Sequence, residues 1–177
     1  MSAAIEGDGF TLRRATADDV GFMVELAVHE DVEPFMATVS AKDEDAMRDE
    51  VRRSDAEPEH YGRFVVEVAG RRAGVMAFEA RNRRSRIAHV YGLMLHPDFR
   101  GQGVADRAAR TLARHLVFDL DYHRLELECY GFNERAIRHA ERIGYVREGV
   151  RRKAYWRHGA WADGVLFGLL REDLEAG

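Results

Sequence analysis

Residues 86–130 constrain the fold more than any other part of the chain. "RIAHVYGLML" is a run with few charges, of strand length, suited to burial on both faces. "HPDFRGQGVAD" follows it, with glycines at 101 and 103. Val104, Ala108, Leu112, Leu116 and Leu120 then recur every four residues, which puts one apolar stripe on a helix from about Val104 to Asp121. "RLELECY" alternates strictly, with Leu125, Leu127 and Cys129 on one face and Glu126, Glu128 and Tyr130 on the other. A helix between two strands commits the chain to a mixed α/β architecture, and the remaining segments have to complete its sheet.

They are suited to it. "FTLRRAT" reads as a first strand, and Thr16 with Asp19 forms a capping signal for a helix through about His29. Ser40 and Asp43 repeat that signal before "DAMRDEVRRS". From His60 to Ala80 two apolar runs flank "AGRRAG", a predicted hairpin. "NERAIRHAERIGY" reads as a helix closed by Gly144, and the tail as two strands joined near His158-Gly159. The expectation is a single domain over residues 1–177, with a mostly antiparallel seven-stranded sheet and helices on both faces.

Composition narrows the function. The 177 residues carry a formal net charge of −4 and are 33% charged and 46% hydrophobic. A general nucleic-acid binder would be basic, so no nucleic-acid partner is expected, and the arginine clusters at 81–86 and 151–153 read as solvated surface. The single cysteine, Cys129, excludes a disulfide framework and a cysteine-ligated zinc site. The start "MSAAIEGDGF" lacks the charge and apolar run of an export signal, and no apolar run approaches a membrane span. A cytoplasmic protein without a membrane partner is expected.

The glycine loop admits three phosphate-binding readings. A P-loop needs lysine and serine or threonine after its last glycine, and Val104 and Ala105 stand there. A dinucleotide fingerprint needs a small residue where Asp106 stands, and that acid would meet a phosphate with like charge. The third pattern is Arg100, Gly103, Ala105. The first turn of the following helix offers N–H groups and the positive end of a dipole, and glycines leave room for a diphosphate. Taken alone, a plain strand-to-helix turn explains the loop equally well.

"LMLHPDFRGQGVADRAARTLARH" followed by "LELECYGFNERAIRHAERIGY" resembles the GCN5-related N-acetyltransferase superfamily, and the tail resembles its ribosomal-protein N-terminal acetyltransferase branch. The resemblance is strongest from about Ala88 to Asp173 and weaker before Tyr61. It implies acetyl-CoA as acyl donor, no metal, and a splayed central strand pair. Leu93, Met94 and Leu95 would line the pantetheine arm, while Arg100, Gly101, Gln102, Gly103, Val104 and Ala105 would surround the diphosphate. Asn133 and Ala136 match the family's Asn-x-x-Ala helix, and Asn133 would reach the arm. Arg138 or Arg142 could approach the nucleotide phosphate, though each also fits a solvated helix face. A backbone N–H near Met94 would stabilise the developing oxyanion.

The resemblance implies direct acetyl transfer to a primary amine, either a protein N-terminus or a small molecule. Where the family often has a glutamate base, this chain has His89, whose ordinary pKa near 6.5 suits proton acceptance; a hydrogen-bonded histidine without that role is the other reading. Glu126 and Glu128 are alternatives that alternation assigns to an outer face. Where many relatives place a tyrosine acid, seven residues after the asparagine, this chain has Ala140, leaving water, the acceptor's own proton or Tyr130. Tyr155, Trp156 and Trp161 could wall an acceptor pocket or pack in the core. Asp163 could cap a turn or bind substrate. Glu30, Asp31 and Glu33 could attract a cationic amine or form a solvated turn. The rival readings are a non-catalytic acyl-CoA-binding or sensing module and, disfavoured by Asp106, a nicotinamide-dependent oxidoreductase. A homodimer is compatible with the sequence, which does not fix oligomeric state.

Overall fold

Period-two segments become strands here and period-four segments become helices, with three instructive departures. The computed structural model describes residues 4–36 and 42–176. Its strands are β1 (Ile5–Gly7), β2 (Phe10–Arg14), β3 (Tyr61–Val68), β4 (Arg71–Asn82), β5 (Ile87–Leu95), β6 (Arg124–Tyr130), β7 (Val146–Arg157) and β8 (Ala160–Leu170). Its helices are α1 (Val20–Val28), α2 (Glu44–Ala56), α3 (Val104–Arg114), α4 (Glu134–Arg142) and α5 (Arg171–Glu175). The strands hydrogen-bond in the order β1-β2-β3-β4-β5-β6-β8-β7, antiparallel in every registered pair except β5 with β6.

The chain divides into two compact units. The first comprises Met1–Glu79 and Tyr91–Leu112. Its core gathers Val20, Met23 and Leu26 of α1, Met47 and Val51 of α2, Val65, Val75 and Met94. Thr16 donates to Asp19 from both its N–H and its hydroxyl, as the capping signal predicted. Asp43 caps α2 by accepting from the Ala46 N–H at 2.8 Å; Ser40, the other half of that signal, lies outside the described residues. Ala69 and Gly70, both at positive φ, make the tight turn between β3 and β4.

The second unit comprises Ala80–Val90 and Ala113–Gly177. β8 lies between β6 and β7, paired from Arg124↔Leu170 to Tyr130↔Gly164 on one side. Leu116, Leu125, Phe167 and Leu169 are its most enclosed large side chains. Gly144 closes α4 at φ 104°, and His158 and Gly159, at φ 52° and 74°, turn β7 into β8.

The sheet has eight strands rather than seven. The extra one, β1, has three residues, too few for alternation to register, and folds back through Asp8-Gly9 so that Gly7 pairs with Phe10. The long helix also ends early: α3 stops at Arg114 and residues His115–Asp119 wind as a wider π turn. A repeat of four drifts round an α-helix of 3.6 residues per turn, and the wider turn re-aims it, keeping Leu116 and Val117 buried. On β6 Leu125 is fully buried and Leu127 and Cys129 of the same face are partly so, while Tyr130, from the other face, is buried as well. Tyr130 crosses to the buried set because Phe132 stacks on it at 5.0 Å and Tyr155 meets it edge-on at 5.3 Å.

Candidate active site

In the first unit, β5 delivers Leu93, Met94 and Leu95 directly into a turn of Pro97–Phe99 and then into the glycine loop. Gly92 sits in mid-strand at φ 66°, a conformation that re-aims the residues after it. Met94 is buried; Leu93 and Leu95 are partly exposed. Gly101 and Gly103 adopt φ 74° and 71°. A Cβ on Gly101 would stand in open space, which leaves that side of the loop clear for a ligand. The N–H groups that open α3 have no acceptor within the helix. Concave N–H groups and a helix dipole of eleven residues are the donor set a diphosphate needs, so these residues fit coenzyme A.

The arginine of the motif braces the loop. Arg100 donates from Nε to the Leu95 carbonyl at 3.2 Å, and Asp31 lies 3.6 Å from its Nη1. Gln102 turns back to the Asp98 carbonyl at 3.2 Å. Arg107 was missed by the sequence reading. It donates to the Gln102 carbonyl at 3.0 Å and to the Asp8 carbonyl at 3.1 Å, clamping the loop against the turn after β1. Only the spacing of one helical turn after Gly103 could have signalled it.

In the second unit, β5 and β6 pair in parallel over Ile87↔Arg124, Ala88↔Leu125 and His89↔Glu126, and their register goes no further. His89 is therefore the last residue of β5 in register with β6, and it is partly exposed. Asn133 caps α4, its Oδ1 accepting from the Ala136 N–H at 3.1 Å, so its side-chain amide donors remain for other partners. Ala140 is buried. Glu126 accepts from Arg124 at 2.9 Å, and Glu128 accepts from the Tyr155 hydroxyl at 2.8 Å with only 20% of its side chain exposed. Neither glutamate is thus a simple outward-facing acid. Burial, with Glu128 adjacent, pushes the Cys129 thiol up to about 12.

Other predicted contributors resolve differently. Trp156 and Trp161 pair edge-to-face at 5.2 Å and are 60% and 61% exposed, so neither is core. Asp163 accepts from the Lys153 N–H at 2.7 Å and caps a bulge in β7. Glu33 pairs with Lys42.

The Acetyltransferase (GNAT) domain family matches residues 10–146, which contain the whole strand–loop–helix sequence just described. The chain belongs to this family. It is 34% identical over 85 residues to the SPbeta prophage-derived uncharacterized N-acetyltransferase YokL of Bacillus subtilis, a match covering 48% of each. Here, as with the Escherichia coli spermidine N(1)-acetyltransferase, the chain spans about half the length of the curated relatives it matches. Among solved structures, the Vibrio cholerae spermidine N-acetyltransferase in complex with CoA and spermine superposes with a TM-score of 0.84 at 20% identity, over 94% of this chain and 98% of that one. The ribosomal-protein-S5-alanine acetyltransferase of Vibrio fischeri gives 0.83 at 17% identity, over 98% and 99%. These two likenesses establish the GNAT fold. Among the described residues no helix is long and apolar enough to cross a membrane.

Proposed function

We propose that this GNAT chain is an acetyl-CoA-dependent N-acetyltransferase acting on a primary amine, in a single acetyltransferase domain over residues 1–177. The observation that carries the reading is the loop: two positive-φ glycines open onto the start of α3, inside the segment that matches the family. Acetyl-CoA supplies an activated acetyl thioester. The N–H groups from Gly101 through Ala105 hold its diphosphate. Leu93, Met94 and Leu95 line its arm, with the Asn133 amide and Ala136 of α4 as further contacts. The N–H near Met94 is the donor for the carbonyl oxygen. His89 takes the proton that the acceptor must lose. A free α-amino group, pKa roughly 7.7–8.0, needs less help than lysine at about 10.4.

The acceptor is an amine of the kind the relatives' names record, a polyamine or a protein N-terminus. The protein works in the cytoplasm, without metal, nucleic acid or membrane. Incubation with labelled acetyl-CoA and a panel of amines, read by mass spectrometry, tests the reading. Acetylated product is expected. Tight acetyl-CoA binding with transfer to no amine would favour a sensing module instead.

A further inference from the structure

A cleft of about 150 Å³ opens in the first unit between the C-terminal end of α1, the start of β4 and the turn that follows β5. Phe22, Leu26 and Phe99 give it an apolar lining, and its polar lining is His29, His96, Arg71, Arg72 and Glu25. The imidazoles of His29 and His96 meet edge-to-face at 5.9 Å.

The two histidines are held alike. Nδ1 of His29 accepts from the Asp31 N–H at 3.2 Å, and Nδ1 of His96 accepts from the Asp98 N–H at 3.3 Å. An accepting Nδ1 puts the proton of a neutral imidazole on Nε2. Among the described residues neither Nε2 has a hydrogen-bond partner. Each ring thus brings to the cleft one N–H donor whose tautomer the backbone has already set. Arg72 is committed to Asp19 at 2.7 Å and to the Asp18 carbonyl at 3.2 Å. Arg71 lies over the Phe99 ring, 5.1 Å from its centre, and its ion-pair partner, Asp98, is 3.8 Å away. The same Asp98 carboxylate stands 3.7 Å from His96 Nδ1. Glu25 is exposed, one helical turn before His29.

We propose that this cleft is a regulatory site for a short-chain monocarboxylate, held by the Nε2–H groups of His29 and His96 and by the Arg71 guanidinium, with its alkyl tail against Phe22, Leu26 and Phe99. Two N–H donors and a guanidinium suit the acceptor-only oxygens of a carboxylate. Pockets for drug-sized ligands begin at roughly 300 Å³. This cleft has about half of that, which limits the tail to a few carbons. Glu25 opposes a second negative charge, so dicarboxylates and phosphate dianions are disfavoured. Two links tie the cleft to the glycine loop. Asp98, whose N–H is held by His96, accepts from Gln102 through its carbonyl at 3.2 Å, and Asp31, whose N–H is held by His29, lies 3.6 Å from Arg100. On the acetyltransferase reading, on which this step rests, an occupied cleft fixes both turns and raises the affinity of the loop for acetyl-CoA. Acetyl-CoA then raises carboxylate affinity by the same factor.

The test uses the full chain with propionate and inorganic phosphate at constant ionic strength, following histidine ring signals by NMR and acetyl-CoA affinity by calorimetry. Propionate is expected to shift the His29 and His96 signals saturably, and phosphate at equal concentration to shift them far less. His29→Asn and His96→Asn keep a side-chain acceptor for the backbone N–H two residues on, as in an Asx turn, and delete the Nε2–H. Each is expected to weaken propionate about ten-fold, read on the remaining histidine, with the circular dichroism spectrum unchanged. Arg71→Gln, at a side chain 69% exposed, removes the guanidinium without touching either turn and is expected to weaken propionate similarly. Saturating propionate is expected to tighten acetyl-CoA binding about five-fold, an effect absent in His96→Asn. No saturable shift, an equal response to phosphate, or propionate affinity unchanged in all three variants overturns the site. Propionate binding that leaves acetyl-CoA affinity unchanged overturns the coupling. A wild type that takes up propionate in the cleft but no acetyl-CoA upholds the site and overturns the acetyltransferase reading.

Discussion

Gly103 is the residue where backbone conformation and ligand space make the same demand. At φ 71° a side chain is strained, and its Cβ would stand 3.0 Å from the Arg107 guanidinium. That guanidinium is the flexible end of its side chain and can yield, so the loop's N–H groups should be disturbed more than the fold. Gly103→Val is expected to weaken acetyl-CoA binding about ten-fold or more, through ~1–3 kcal/mol of strain in the cradle. Wild-type affinity by calorimetry would remove the cofactor from this loop. His89→Gln should instead leave affinity alone and lower kcat by about 10²–10⁴-fold if His89 takes the proton. An unchanged kcat across the working pH range would end that role. The loop could be read from sequence because its constraint is local, written in glycine spacing. The brace Arg107 could not, because its partners are backbone carbonyls, one of them of Asp8 far off in sequence.

At the scale of elements, capping chemistry and periodicity carried most of the assignment. Asp43 three residues before Ala46 is a side-chain cap in sequence and in structure. Asp43→Ala is expected to cost about 1 kcal/mol, read as a lower urea midpoint with an unchanged slope. The same reasoning failed where an element is too short to show a period, as in β1, or where neighbours override it. On β6, Glu128 is drawn in by Tyr155 from β7, and Tyr130 is enclosed by its aromatic neighbours. The exposed Trp156–Trp161 rung fails for another reason. Bulk suggests core, but its cross-strand pairing places it near the tip of a hairpin, where each indole packs against the other.

At the scale of the whole molecule, acid stability should turn on one side chain. Asp19 is almost fully enclosed, with 1% of its side chain exposed, and its carboxylate is shared by Arg13 from β2 and Arg72 from β4 at 2.8 and 2.7 Å. Burial alone would raise its pKa. The Arg13 guanidinium, the Thr16 N–H and Arg72 outweigh burial and hold the carboxyl far below the usual carboxylate range. The sign follows. The unfolded chain takes up the proton near pH 3.9 while the folded chain still refuses it, so this contribution is complete above that pH and is lost as pH falls towards the depressed folded value. Asp19→Asn leaves Arg72 without its carboxylate and Arg13 with only Glu67 at 2.7 Å. Breaking such a pair costs about 3–5 kcal/mol at neutral pH. Urea melts followed by far-ultraviolet circular dichroism from pH 7 down to pH 2 should show the variant well below wild type at first. The two curves should then converge below about pH 4, because the variant has no proton left to gain at this position. Parallel curves over that range would mean that the carboxylate does not hold β2, β4 and the start of α1 together as its geometry indicates.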